Sequence, residues 1–220
     1  MLALVGTLVG CGLLRVNEPQ MGQYSYTHKP NYQGLVVREI PIWIDRGFGE
    51  SDRVAIDDAI RAWNYSLNGY IKLRVVDTEF DMEVDKIVTQ VKSNGWLIMK
   101  IEGNNPMVPV LKDGYRTIGF CERVGGNHLY LIRDRLSNED IFGVTLHEMG
   151  HLLGSGQVGD HLMHPHFSRA KFQCIDSVTL VEVAKYNGIP ADRMNYCFDV
   201  DAMGSPVMDM DIEVSCPMVE

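Results

Sequence analysis

His147-Glu148-Met149-Gly150-His151-Leu152-Leu153-Gly154 is the stretch on which the fold turns. Residues four apart share one face of a helix, so His147 and His151 can aim nitrogens at a single metal ion. Glu148 stands about 100° further round, near enough to reach a water on that metal without ligating it. Two imidazoles and a carboxylate in this frame are the working parts of a zinc hydrolase helix. Ser137 followed by Asp140 supplies a capping-box start, with the carboxylate at the positive end of the helix dipole. Ile141, Val144, Leu146, Leu152 and Leu153 give the helix a buried side, and Gly154 gives it a stop. A surface helix that carried two histidines by chance would need neither the cap, nor the apolar stripe, nor the terminal glycine.

Beyond the helix runs Ser155-Gly156-Gln157-Val158-Gly159-Asp160-His161-Leu162-Met163-His164-Pro165. Helix and return together resemble the metzincin clan of zinc peptidases, and within it the matrixin-like branch, whose pattern is HExxHxxGxxH followed by a methionine turn. Gly154 lets the chain leave the helix in a left-handed conformation and swing back toward the metal. The resemblance implies an α/β (α+β) zincin domain with a twisted mixed sheet, an active-site helix, a Met-turn and a C-terminal helix. It also implies Zn2+ as cofactor, His147 and His151 as ligands, and Met163 as the apolar floor beneath the imidazoles. Upstream, Ile40 to Asp45, the helix carrying Ala59, Ile60, Ala62, Trp63 and Asn64, and then Ile71 to Val75 are similar to the opening strand, helix and second strand of such domains. Gly119, Phe120, Cys121 and Glu122 look like the edge strand, and His128 to Ile132 like the strand before the active-site helix. The resemblance spans residues 35–188.

The chain departs from that pattern at one point. The family's third ligand falls on Gln157, and an amide oxygen is a poor zinc donor beside imidazole, thiolate or carboxylate. Three donors are open. His161 can replace it through a loop made pliable by Gly156 and Gly159, Gln157 can ligate weakly, or Asp160 can supply an oxygen. Of these His161 suits zinc best.

Zinc with three protein donors keeps a fourth position for water, lowers its pKa to about 7 and polarises a carbonyl. Glu148 then serves as the general base that takes the water's proton and returns it to the departing amine. The reaction expected is endopeptidase-type amide hydrolysis of a protein or peptide substrate. His164 and His166 flank Pro165 where the resemblance implies a pocket wall, and a polar one here. His28 and His128 are isolated and read as structural or solvent-facing.

The 220 residues suffice for one domain burying around 70% of its unfolded surface. A hydrophobic fraction of 45% excludes disorder as the main state. Net charge −9 and pI near 5.2 exclude nucleic acid as a partner, since phosphates need a basic face. Strands are expected over 35–45 and 70–77 and from Trp96 to Met99, a helix from Ser51 to about Leu67, and an ambiguous, helical segment over 80–92. Asp176 caps a last helix through Tyr186, closed by Gly188 and Pro190. Residues 12–34 and 189–220 read as turn-rich extensions.

Residues 1–11 are uncharged and apolar up to Leu8-Val9-Gly10-Cys11, which resembles a bacterial lipobox. That resemblance implies cleavage before Cys11, lipidation there, and an exported protein held at the bacterial cell envelope or released outside. A buried strand or docked helix is the competing reading. Cys121, Cys174, Cys197 and Cys216 then permit two disulfides in three connectivities, with Cys197 and Cys216 bordering a tail that a staple would help. Two functions stay open: an exported zinc endopeptidase, and a catalytically degenerate structural or binding protein of a cell-surface or virion assembly in which Gln157 marks decay of the site.

Overall fold

The computed structural model describes residues 24–76, 94–111, 115–158, 161–169 and 171–199. The segment 80–92, Asp160, Cys11 and Cys216 lie outside them. Five strands form the main sheet: β2 (Arg38–Ile44), β3 (Ile71–Val75), β4 (Trp96–Ile101), β5 (Gly119–Cys121) and β6 (His128–Ile132), in the order β3-β2-β4-β6-β5. The first four in that order run parallel, and β5 lies antiparallel against β6 as the edge. Three helices follow the expected pattern: α1 (Glu50–Ser66), α2 (Asn138–Leu152) and α3 (Ser177–Asn187).

Alternation sets which face each strand buries. Ile40, Ile42, Ile44, Ile71, Leu73, Leu129 and Leu131 point into one core with Ile56, Ile60 and Trp63 of α1 and Val144, Leu146 and Met149 of α2. The other face carries Trp43 and Leu97, and further along Phe120, Tyr130 and Ile132. α1 and α2 are also joined by a directed bond, because the buried Trp63 indole Nε1–H donates to the Leu146 carbonyl at 2.9 Å. The helix that bears the two histidines is therefore clamped between α1 and the sheet.

Two expectations change. The strand expected from residue 35 starts at Arg38, where pairing with Ile71 begins, and Leu35 is 91% exposed. The described parts of the two extensions are built into the domain: β1 (Tyr24–Tyr26) pairs antiparallel with β7 (Cys197–Asp199). A disulfide joins Cys174 to Cys197, and Cys121 remains a buried free thiol.

Candidate metal centre

The site is assembled on α2. Its start is the capping box the sequence predicts: the Ser137 N–H donates to Asp140 Oδ2 at 3.2 Å, and Arg169 Nε holds the other carboxylate oxygen at 2.6 Å. Its end is Gly154, whose φ of 99° turns the chain back over the helix. The return brings Met163 under Gly150, where a Cβ would meet the methionine sulfur at 2.5 Å and push that side chain aside.

His147 and His151 are both buried, at 0% and 1% exposure. Each ring is held by a backbone carbonyl: His147 Nδ1 lies 2.5 Å from the Leu162 oxygen and His151 Nδ1 2.8 Å from the Ser155 oxygen. A carbonyl only accepts, so both Nδ1 atoms carry the proton and both Nε2 atoms present lone pairs. Those lone pairs face each other across 3.1 Å. Burial pushes the His147 imidazole well below its ordinary pKa, with the neighbouring His151 and His164 adding to it against the Leu162 bond. Burial likewise lowers His151, opposed by its bond to Ser155. The Phe172 ring stacks on His147 with centroids 4.5 Å apart and planes 5° off parallel.

Two neutral nitrogens aimed at one point have no hydrogen bond to make with each other, but they suit a cation between them. Zinc with nitrogens at 2.0–2.1 Å in tetrahedral geometry sets them about 3.3 Å apart, close to the 3.1 Å seen. The pair fits zinc as two donors with the outer carbonyl support such ligands require. Among the described residues no third His, Cys, Asp or Glu joins them. His161 is exposed and stands out of the group, while Gln157 is half-buried.

The solved structures similar to this chain include two metalloproteases. Metalloproteinase-II from Bacteroides fragilis shares 17% identity at a TM-score of 0.46, over 71% of this chain and 55% of that one. High choriolytic enzyme 1, a hatching-enzyme zinc-protease from the medaka fish Oryzias latipes, shares 17% identity at a TM-score of 0.30, over 76% of this chain and 63% of that one. The chain thus spans less than two thirds of either. No family model and no curated protein sequence matches it. Likeness at this level says nothing of which residues act, and the side chains alone carry the chemistry.

Glu148, the residue after the first histidine, is 1% exposed and faces β5. A Cβ on Gly119 would stand 2.6 Å from Val144 and 3.4 Å from the Glu148 carboxylate, so the bare glycine lets the edge strand close over that carboxylate. Cys121 lies on the same face of β5; burial raises its thiol pKa, and the Glu148 charge raises it further. The residue types His147, Glu148, His151 and Met163 are all legible from the sequence; the structure brings the two histidines together, sets Met163 against Gly150 and turns Glu148 toward β5. The Leu162 and Ser155 carbonyls and the Phe172 platform are not legible, because a backbone acceptor has no residue-type signal and one aromatic among nineteen (seven Phe, nine Tyr and three Trp) does not announce its partner. Asp176 was legible only as a helix cap.

Proposed function

We propose that this chain is a zinc-dependent endopeptidase in which His147 and His151 hold the metal and Glu148 is the general base. The reading rests on the two buried Nε2 atoms converging at 3.1 Å, each with its Nδ1 committed to a carbonyl. Zinc bound there would supply a water acidified toward neutral pH and a positive charge to polarise the scissile carbonyl. Glu148 accepts the proton during attack and passes it to the departing amine. His147 and His151 stay neutral because burial disfavours their charged forms. Met163 packs against Gly150 of the helix that carries them, and we assign it the part of a Met-turn.

The third donor belongs to the return loop, with His161 first on chemistry and Gln157 and Asp160 as alternatives. Zinc affinities of His161→Ala, Gln157→Ala and Asp160→Ala rank them. The proposal extends to a protein or peptide substrate, to lipid attachment at Cys11 and to export, of which only export has support in the Cys174–Cys197 disulfide, a bond that persists in oxidising compartments. No helix among the described residues is long and apolar enough to cross a membrane.

The test is zinc content and turnover together. Purified protein dialysed after zinc loading should retain near one zinc per chain, and Glu148→Ala should keep the metal while losing at least ~100-fold of its cleavage of an unfolded protein substrate. Absence of zinc after reconstitution overturns the proposal. That outcome favours the second reading, a degenerate structural or binding protein, for which the missing third donor among the described residues speaks.

A further inference from the structure

Asp176 does two separable things. Its Oδ1 accepts from the Val178 and Thr179 N–H groups at 2.9 and 3.0 Å, which caps α3. Its Oδ2 accepts from the Thr179 hydroxyl at 2.7 Å and, across the chain, from the Leu162 N–H at 3.3 Å. Leu162 is fully buried, and its carbonyl is the acceptor of His147 Nδ1. The carboxylate and the imidazole therefore grip the same loop residue from its two backbone ends. Asp176 is itself 8% exposed, and the disulfide at Cys174 ties its segment to β7.

We propose that Asp176 is a positioning residue for His147: by holding Leu162 it fixes the carbonyl that selects the Nδ1–H tautomer and aims Nε2 at the metal. The inference rests on the zinc reading of the histidine pair for its metal readout, but not for its tautomer readout. A capping role alone needs one acceptor oxygen, and nothing in it requires the second oxygen to reach a residue fourteen positions upstream.

Two substitutions divide the roles. Asp176→Asn keeps an oxygen for Val178 and Thr179 but turns an NH2 group toward the Leu162 N–H, donor against donor. Asp176→Ser retains a capping oxygen too short to reach Leu162. In each folded variant, matched to the parent by helical ellipticity, zinc affinity measured by competition with a chromophoric chelator should fall about 10–100-fold. In the metal-free proteins, 15N–1H correlation spectra should show His147 moving from a single Nδ1–H form to a mixture of tautomers. Zinc affinity within twofold of the parent, or an unchanged Nδ1–H tautomer, overturns the inference. If the parent itself takes no zinc, the zinc reading fails, and the tautomer spectra alone decide whether Asp176 positions His147.

Discussion

Gly154 joins local backbone geometry to the metal centre. At φ 99° an L side chain is strained, and a Cβ would run into the Tyr186 ring that lies across the glycine. The next residue, Ser155, donates its N–H to the Gly150 carbonyl at 2.9 Å and offers its own carbonyl to His151 Nδ1. Gly154→Ala should therefore cost about 1–3 kcal/mol in denaturant unfolding and weaken zinc binding as well, because the strain is relieved by moving the Ser155 carbonyl. Full stability together with full zinc affinity in that variant would show that the turn tolerates a side chain. A glycine in this place is legible, since a helix that must reverse its path calls for a left-handed residue. The carbonyl that receives His151 is not, because every residue carries the same acceptor and only the path of the loop picks one.

At the scale of elements, α2 depends on how it begins. Burial alone would raise the Asp140 carboxyl, but hydrogen bonds from Arg169 and from Ser137 outweigh it and hold the pKa below the ordinary value. A carboxylate depressed by folding contributes stability that is present above its unfolded pKa, about 3.9, and is lost as pH falls through the lower folded value. Asp140→Asn should cost about 1–2 kcal/mol at pH 6, and the gap from the parent should close as pH falls from about 3.9 through the lower folded value when both are unfolded with urea. A gap independent of pH would mean that the charge plays no part. The helices were legible because caps and apolar periodicity agree: Ser137 and Asp140 open α2, and Asp176 and Gly188 bracket α3. β3 was legible by alternation, with Ile71 and Leu73 buried and Lys72 and Arg74 exposed. The start of β2 was not, since Leu35, Val36 and Val37 continue the apolar run past the point where a partner strand exists.

At the scale of the whole molecule, the two ends of the described chain close on each other, and the sequence carries little sign of it. Tyr24–Tyr26 is too short to display a period, and its partner Cys197–Asp199 lies at the far end of the fold. Around this pair, Tyr26, Cys174 and Cys197 form a small cluster of their own, flanked by Tyr24 and Tyr65, apart from the main core. Lys29 N–H donates to Asn195 Oδ1 at 2.6 Å, and Asn68 Nδ2 reaches both the Pro30 and Arg193 carbonyls, at 3.0 and 2.7 Å. A patch this small buries limited apolar surface, so its persistence leans on the covalent tie. The Cys174–Cys197 bridge closes a loop with a sequence separation of 23, which in the chain-entropy account is worth about 3 kcal/mol. Reduction, or Cys174→Ser with Cys197→Ser, should lower the unfolding free energy by that amount and the melting temperature by roughly 2–4 °C per kcal/mol. Hydrogen exchange should accelerate first at Thr27 and Cys197, whose N–H groups donate to Tyr196 and Ile175, while amides of β4 and β6 stay protected. Uniform loss of protection across the sheet on reduction would show instead that the β1–β7 closure is part of the main cooperative unit, and the bridge would then be supporting the whole domain and the histidine pair with it.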